Sequence, residues 1–522
     1  MDVKKTNKRI QLRPAETGDA EYLLRWRNRP DIVAAGLSHS RVSRKEHIEW
    51  FDGCLRNQEV RIWIILLDSL PIGQIRLVPY KKKEKIISVF ILPKYSGHGY
   101  GVAAIKAACK QAFHIWPDIK NVRAVILKDN DRSKRAFIKA GFQKSLKTQS
   151  EDEKAGPLLL LFSKPEPVPH NRLTFDHSEI DGVRSVLLSG RCSGGSKVLE
   201  FEKRLQNWAS VKNAVCVGSG LGALRLSLAA LGVNRGHHVI IPAYSCVALP
   251  NAVLANQAIP LLADIRKDTC NISPAEVSAT IHSEKVKCII AVNTFGYPAD
   301  VDELLQFDIQ IIEDWAHGFQ LSSDGISPTK LNGDVAIQSF YATKLMGVGE
   351  GGVILTNSED IAEFARSWRD YGDQPPNGTR LNDKMTDISA AIGISQLQKL
   401  PSLIRRRREL AAIYTEAFSA IGWLGEFIRL PANADDRVWY RYPLMLTRWN
   451  AAKIIGLMKD YGINAEEPVY NWHPSGISGK SNADQAFSRL ISLPLFPALS
   501  QEEQRRVIDT VIDVCQQQIK YE

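Results

Sequence analysis

The stretch Ser339–Gly352, SFYATKLMGVGEGG, constrains this chain more than any other. Its lysine, Lys344, is bracketed by small and hydroxylated residues (Ser339, Thr343, Gly347, Gly349) rather than by a charged face. Upstream, the apolar run Ile309 to Ile312 leads straight into Asp314, in IIEDWAHG. A short apolar run of this kind reads as a buried strand. Its carboxylate then falls at the strand's C-terminal end, which in an open α/β sheet faces the ligand crevice. An unrelated surface lysine and a strand-end aspartate are the plain alternative.

The pair suits pyridoxal 5'-phosphate chemistry. A lysine amine can form a Schiff base with the aldehyde, and a buried carboxylate can pair with the pyridinium nitrogen so that the ring accepts electrons. Around the pair stand SGRCSGGSKVLEFEKRL, VCVGSGLGALRLSLAALGV, HHVIIPAYSCVALPNAVL, LLADIRKDTCNI, VNTFGYPADVDEL, LNDKMTDISAAIGISQLQKL and SLPLFPALSQEE. In this order, from about Leu188 to Val514, the motifs resemble the DegT/DnrJ/EryC1/StrS sugar aminotransferases, of fold type I among pyridoxal phosphate enzymes. The resemblance implies a mostly parallel seven-stranded sheet within residues 176–522, with a small C-terminal α/β subdomain over residues 420–522.

Val215–Gly220 runs into a helix. A helix N-terminus binds anions through its free amides and its dipole. Ser219, Gly220 and Leu221 are therefore the candidate phosphate turn. The resemblance implies a threonine where Leu221 stands, a loss that Ser339 would offset, and an aromatic ring over the cofactor where Cys246 stands. It also implies a contact from His317 to the cofactor's ring hydroxyl, though a core histidine is the plain reading of that residue. Asn382 would reach the phosphate of a neighbouring subunit, with Lys384 replacing an arginine beside it, so that the site is complete only in a homodimer. Relatives with histidine in place of the lysine are dehydratases, a branch from which Lys344 separates this chain.

A chain of 522 residues exceeds one ordinary domain. Residues 10–162 alternate strands with helices, and SKPEPVPHNR, with three prolines, then reads as a stiff extended spacer. The expected boundaries are a first domain over 1–165 and a linker over 166–175. In the first domain ISVFIL is followed by KYSGHGYG and by the helical pattern GVAAIKAACKQAF. Between a strand and a helix, a glycine-rich turn can aim backbone amides at a phosphate. Gly97, His98, Gly99, Tyr100 and Gly101 are the candidates, with a simple tight turn as the alternative.

NVRAVILKDNDRSKRAFIKAGF adds a strand and a helix capped at Asn130 and Ser133. Together these segments resemble the GNAT acetyltransferases, whose fold is a mixed, mostly antiparallel sheet with helices. The resemblance implies acetyl-CoA as cosubstrate, its pyrophosphate on the glycine turn, Asn130 and Ser133 on its other side, and pantetheine along the strand edge Val89–Leu92. LLRWRNRPDI and HIEWF resemble the branch that acetylates protein N-termini and amino-sugar nucleotides. Two residues depart from the pattern: Ser96 stands where arginine or glutamine is usual, and Phe137 where many members place a tyrosine acid. Glu46, His47 and Glu49 are candidates for amine deprotonation or substrate binding, or ordinary helix surface.

The net charge of +10 is unevenly placed. Residues 1–165 hold 32 Lys+Arg against 17 Asp+Glu, and the remainder holds 35 against 40. A basic half suits nucleic acid or a phosphate-rich small molecule. No nucleic-acid motif or aromatic interleaving accompanies it, and KKKEK at Lys81–Lys85 reads as a solvated hairpin turn. MDVKKTNKRI lacks the apolar segment of a secretory signal. No apolar run approaches the roughly 20 residues of a membrane span. Eight cysteines without a CxxC pair argue against a zinc site and a disulfide framework and fit a reducing cytoplasm.

The expectation is a two-step enzyme. It would transaminate a UDP- or dTDP-linked keto-deoxysugar with glutamate, at C3 or C4, then acetylate the new amine from acetyl-CoA. The resemblance points to surface polysaccharide, such as O-antigen, as the destination. A first domain with another acyl acceptor, or one that only senses coenzyme A, are the alternatives.

Overall fold

Two hydrophobic sheets organise the chain in a computed structural model. The structure describes all residues except 1–9, 36–39, 128–129, 145–157, 282–284, 323, 371–380, 424, 474–478 and 522. Met1–Glu166 and Pro167–Glu522 form two compact units.

In the first unit seven strands lie in the order Ile10–Pro14, Arg61–Leu67, Leu70–Pro79, Glu84–Ile91, Asn121–Ile126, Leu158–Ser163, Gln143–Lys144. Period-two alternation sends Trp63, Ile65, Ile75, Leu77 and Ile87 to one face, where Ala104, Ile105 and Ala108 of the Tyr100–Ile115 helix cover them. Ile62 and Ile64 point the other way, against Leu23 and Phe51 of two earlier helices. Glu84–Ile91 follows its antiparallel neighbour Leu70–Pro79 as far as Ile91. Its parallel pairing with Asn121–Ile126 stops at Ile87, opposite Ala124. Beyond that point these two strands no longer pair, and residues 88–91 offer a free edge among the described residues.

The second unit is built on seven strands in the order Ile259–Ala263, His238–Pro242, Val286–Val292, Gln310–Asp314, Val335–Ser339, Gly352–Thr356, Asn213–Val217. Only Gly352–Thr356 runs against the others. The central strands Val335–Ser339 and Gly352–Thr356 are buried along their whole length because helices cover both faces. Gly220–Ala230 and Ala248–Ala255 pack on one side, and Ser196–Ala209 with the first half of the Asp387–Ser419 helix on the other. The second half of that 33-residue helix enters a different core through Leu410, Tyr414 and Phe418. There it backs a three-stranded antiparallel sheet of Ile428–Arg429, Tyr442–Leu446 and Leu490–Leu493, the small subdomain. One helix thus belongs to both cores. Among the described residues no helix is long and apolar enough to cross a membrane.

The segment 166–175, expected as a free spacer, is instead largely built into the second unit. Val168 is fully buried in the subdomain core and pairs with Ile463, and His170 bonds Ser492 Oγ at 2.9 Å. The prolines keep this segment extended, and the burial of Val168 between them lays it along the subdomain.

The start of the long helix is tied to an earlier one by Asp387, which is buried. Its carboxylate accepts from the Gly195 N–H at 2.7 Å and the Lys197 N–H at 2.8 Å. One charge thereby sits at two helix N-termini, where the dipoles favour it. Asp387→Ala should destabilise the second unit by about 2–3 kcal/mol. Calorimetry of the whole chain would read this as a lower midpoint for that unit with the first unit's transition unmoved. An unchanged midpoint would show that these bonds contribute nothing.

Candidate active site

The candidate residues of the second unit gather at the carboxyl edge of its parallel strands. Asp314 and Ser339 are each the last residue of a strand, and Val217 leads into the turn Gly218-Ser219-Gly220. Register sets Ser339 opposite Gly352 and Gly352 opposite Val217. The backbones here approach so closely that side chains are excluded. A Cβ on Gly220 would stand 2.8 Å from Ser339 Cβ, and one on Gly352 2.5 Å from the Ser219 carbonyl oxygen. Ser219 Oγ caps the Gly220–Ala230 helix by accepting from the Gly222 N–H at 3.0 Å. The remaining first-turn amides have no partner within the helix. With the Ser339 hydroxyl alongside Gly220, they form a cradle that fits a phosphate. Leu221 is exposed at this end and adds no polar group.

Asp314 is buried, and its Oδ1 accepts from the Ala316 N–H at 2.8 Å. No other hydrogen bond reaches this carboxylate among the described residues. Burial pushes its pKa up to about 6, against the pull of the Ala316 amide and the Lys344 charge. One carboxylate oxygen therefore remains for a protonated ring nitrogen. Lys344 has no ion pair or side-chain hydrogen bond among the described residues, and its Nζ lies 4.9 Å from the centroid of the Tyr440 ring. His317 is enclosed between Phe295 and Tyr440, with ring centroids at 6.0 and 4.7 Å. Burial, with help from the Lys344 and Arg441 charges, holds its pKa well below the ordinary histidine value. The Phe295 N–H donates to Nδ1 at 3.4 Å, which leaves the proton of the neutral ring on Nε2. A buried acid, a free amine, an imidazole N–H and a phosphate cradle are the donor set that pyridoxal phosphate needs.

Tyr440 and Arg407 carry no motif of their own in the sequence. They reach the site from the small subdomain and the long helix. The Val438 N–H donates to the Gly296 carbonyl at 3.1 Å, and a Cβ on Gly296, whose φ is 82°, would lie 1.5 Å from the Val438 oxygen. Arg407 Nη1 donates to the Tyr440 carbonyl at 3.1 Å and to the Leu495 carbonyl at 2.8 Å. The aromatic run WYRY was the only local signal, and pairing across this distance in the chain leaves no periodicity.

Other candidates sit nearby with different partners. Cys246 is exposed in the turn after His238–Pro242, at the same sheet edge. Asn382 is exposed, and its Oδ1 accepts from the Lys384 N–H at 3.4 Å. Lys384 Nζ bonds Asp370 at 2.8 Å while its backbone bridges to Val217. The Gly218 N–H donates to the Asp383 carbonyl at 2.6 Å, and the Asp383 carboxylate pairs with Arg225. This segment therefore lies against the phosphate turn of its own chain.

In the first unit Gly97 and Gly99 take φ values of 87° and 83°, and Gly99 is the N-cap of the Tyr100–Ile115 helix. His98 and Tyr100 stack at 5.6 Å, and Gly101 packs on Ile91. Ser96 Oγ is buried at this turn without a hydrogen-bond partner among the described residues, an orphan that suits a polar ligand. Asn130 Oδ1 accepts from the Ser133 N–H at 3.0 Å and caps its helix. The Leu92 N–H is already taken by the Ile72 carbonyl, which leaves Val89–Ile91 as the edge. Phe137 is a core ring against Phe142. Glu46 is engaged in a capping box with Ser43, and His47 Nε2 bonds the Ala20 carbonyl at 3.1 Å inside the core. Neither is placed as a free base, and Glu49 is exposed.

Fold and site together define the second unit as an α/β transferase, joined to a first unit with a glycine turn and a splayed strand pair. The chain belongs to the DegT/DnrJ/EryC1/StrS aminotransferase family, whose profile matches residues 174–512. Residues 9–143 match the acetyltransferase (GNAT) domain. The spore coat polysaccharide biosynthesis protein SpsC of Bacillus subtilis is 29% identical over 66% of this chain and 97% of its own length. A 3-oxo-glucose-6-phosphate:glutamate aminotransferase of the same organism is 28% identical over 68% of this chain and 85% of its own. The crystal structure of S. venezuelae DesV with a ketimine intermediate superposes with a TM-score of 0.61 at 27% identity, covering 67% of this chain and 99% of that one.

Asp314 yields a stability prediction for the cofactor-free protein. Its pKa is 3.8 in an ordinary setting and about 6 when folded, so the folded state keeps the proton longer. Stability is then lost as pH rises from about 4 through about 6. Asp314→Asn should remove this loss and stabilise the cofactor-free protein by about 3 kcal/mol above pH 7, with little effect at pH 4. Denaturation at both pH values checks this; equal effects at the two would mean that the carboxyl is not strained by burial.

Proposed function

We propose that the second unit transfers the amino group of glutamate to the ketone of a nucleotide-linked deoxysugar, and that the first unit acetylates the product from acetyl-CoA. The observation that carries this reading is Lys344, held near the buried carboxyl of Asp314 and without an ion pair among the described residues. The activity for which the B. subtilis glutamate aminotransferase is named supports a keto-sugar acceptor and a glutamate donor. The role for which SpsC is named supports a polysaccharide destination.

Pyridoxal phosphate, when bound, supplies an electron-accepting ring and a carbon that can hold an amino group between two substrates. Amides of Gly220 and Leu221, with the hydroxyls of Ser219 and Ser339, would hold its phosphate. Asp314 would keep a proton on the ring nitrogen, and His317 would offer its Nε2–H to the ring oxygen. Lys344 would take the proton from glutamate Cα and later deliver one to the sugar carbon; water supplies the oxygen with which glutamate leaves as the 2-oxo acid, and the sugar's ketone oxygen leaves as water. In the first unit the turn at Gly97–Gly101 would hold the pyrophosphate of acetyl-CoA, and the edge Val89–Ile91 its pantetheine. The new amine, once neutral, attacks the thioester carbonyl; it loses a proton as the amide forms, and the coenzyme A thiolate gains one. A shared tether raises the local concentration of the amine at the second site.

Exposed Leu187, Leu188 and Leu199 suit a face that closes a homodimer. All eight cysteines are free, which suits a cytoplasmic enzyme.

The test is a panel of UDP- and dTDP-linked ketosugars, with keto-sugar phosphates beside them, incubated with glutamate and acetyl-CoA and read by mass spectrometry. An N-acetylated amino sugar is expected from at least one nucleotide-linked ketone. Lys344→Ala should cut amination at least about a thousandfold while leaving acetylation of a supplied amino sugar intact. Amination without acetylation would give the first unit another acceptor, and no amination across the panel would reject the reading.

A further inference from the structure

Tyr440 stands beside Lys344 and has no part in the chemistry above. It is buried, and its ring meets three groups of the site: Lys344 Nζ at 4.9 Å from the centroid, the His317 ring at 4.7 Å and the Arg441 guanidinium at 5.2 Å. Its hydroxyl shares a hydrogen bond with Thr343 Oγ1 at 3.4 Å. The backbone that carries it is clamped, as described, by Gly296 and Arg407.

We propose that Tyr440 is the positioning residue for Lys344: its ring face supports the ε-ammonium whenever that amine is not covalently engaged and keeps it aimed at the reacting carbon. The inference rests on the function above for what Lys344 reacts with, and on geometry alone for the contact itself. A half-buried ammonium without an ion pair among the described residues is oriented by whatever attractive neighbour it has. Of the groups whose charge bears on Lys344 or Tyr440, Arg407 and Arg441 are cationic and His317 is neutral. Asp314 is the acid on which the Lys344 charge bears; the ring nitrogen engages it when the cofactor is bound, and without cofactor it is the same in every variant of residue 440, so a difference between variants reads the ring. Glu466 sits 3.6 Å from Arg441, which it partly neutralises. The remaining attraction is the negative face of the Tyr440 ring.

A ring face is also a suitable strength of partner. It attracts an ammonium well inside the usual 6 Å limit, yet less than a buried carboxylate would. A carboxylate there would trap Lys344 as the cation and stop it from working as a base. The ring orients the amine and still lets the proton go. Burial pushes the phenol's pKa up, but the charges of Lys344 and Arg441 outweigh it and bring the value down to about 8. The support should therefore strengthen above about pH 8, where the ring gains a full negative charge.

The experiment uses the full chain without cofactor. Residue 440 is replaced with Phe and then, site-specifically, with phenylalanines of increasing ring fluorination, which keep the shape and deplete the negative face. The pH midpoint for acylation of Lys344 by acetic anhydride is read by peptide mass spectrometry. The midpoint should fall along the series, with labelling at pH 7.5 rising about tenfold from Phe to the most fluorinated ring. Tyr440→Leu should move it the same way, and every variant of the set, lacking the phenol, should lose the step near pH 8. A midpoint constant across the fluorinated series would overturn the proposal. A protein that stays colourless with pyridoxal phosphate would instead overturn the assignment of Lys344 as the cofactor lysine, and the labelling series would still report on Tyr440.

Discussion

A carboxylate buried with a single hydrogen bond is costly, and the candidate site is arranged around that cost. Glu313 and Asp314 are neighbours on one strand, and both are buried. Glu313 accepts from Trp315 Nε1 at 3.0 Å and from the Asn332 and Gly333 amides at 2.9 and 2.7 Å, so its charge is spent on holding the loop before the next strand. Asp314, on the opposite face, has the Ala316 amide and the field of Lys344. The first is a structural acid and the second is kept short of partners. That shortage leaves one oxygen of Asp314 able to accept from a cationic donor.

The rest of the site depends on close approach of backbones. Gly220, Gly352 and Gly296 each stand where a methyl group would collide with a carbonyl or a side chain of another element. The first two draw the phosphate turn onto Ser339. The third draws the loop of Tyr440 from the small subdomain onto His317. The long helix that belongs to both cores then fixes the subdomain through Arg407, whose guanidinium bonds the carbonyls that flank the site. Packing of two cores thus sets the distance between an amine and a ring.

Much of this was legible in the sequence. Asp314, Ser219 and Gly220 lie at or just past strand ends, which runs of apolar residues mark locally, and Lys344 lies in the loop between two such strands. The glycine turn at Gly97–Gly101 was legible for the same reason. Less legible was the fate of residues whose role depends on distant partners. His47 reads as a candidate base and is a core residue because the Ala20 carbonyl needs a donor. Residues 166–175 read as a spacer and are largely packed because Val168 finds Ile463. Tyr440 was silent, since nothing near it in the chain speaks of a lysine.

By itself, then, the order of residues determined the two folds, the family, the sheet edges where strand ends meet helix N-termini, and the candidate lysine and aspartate of the site. These follow from periodicity and turn chemistry, which act over a few residues. Tertiary structure alone decided which polar groups are left free and which are consumed, how strongly Asp314 holds its proton, and which ring faces Lys344. Those properties arise from burial and from approach between segments far apart in the chain, where desolvation and geometry, not local spacing, set the energy.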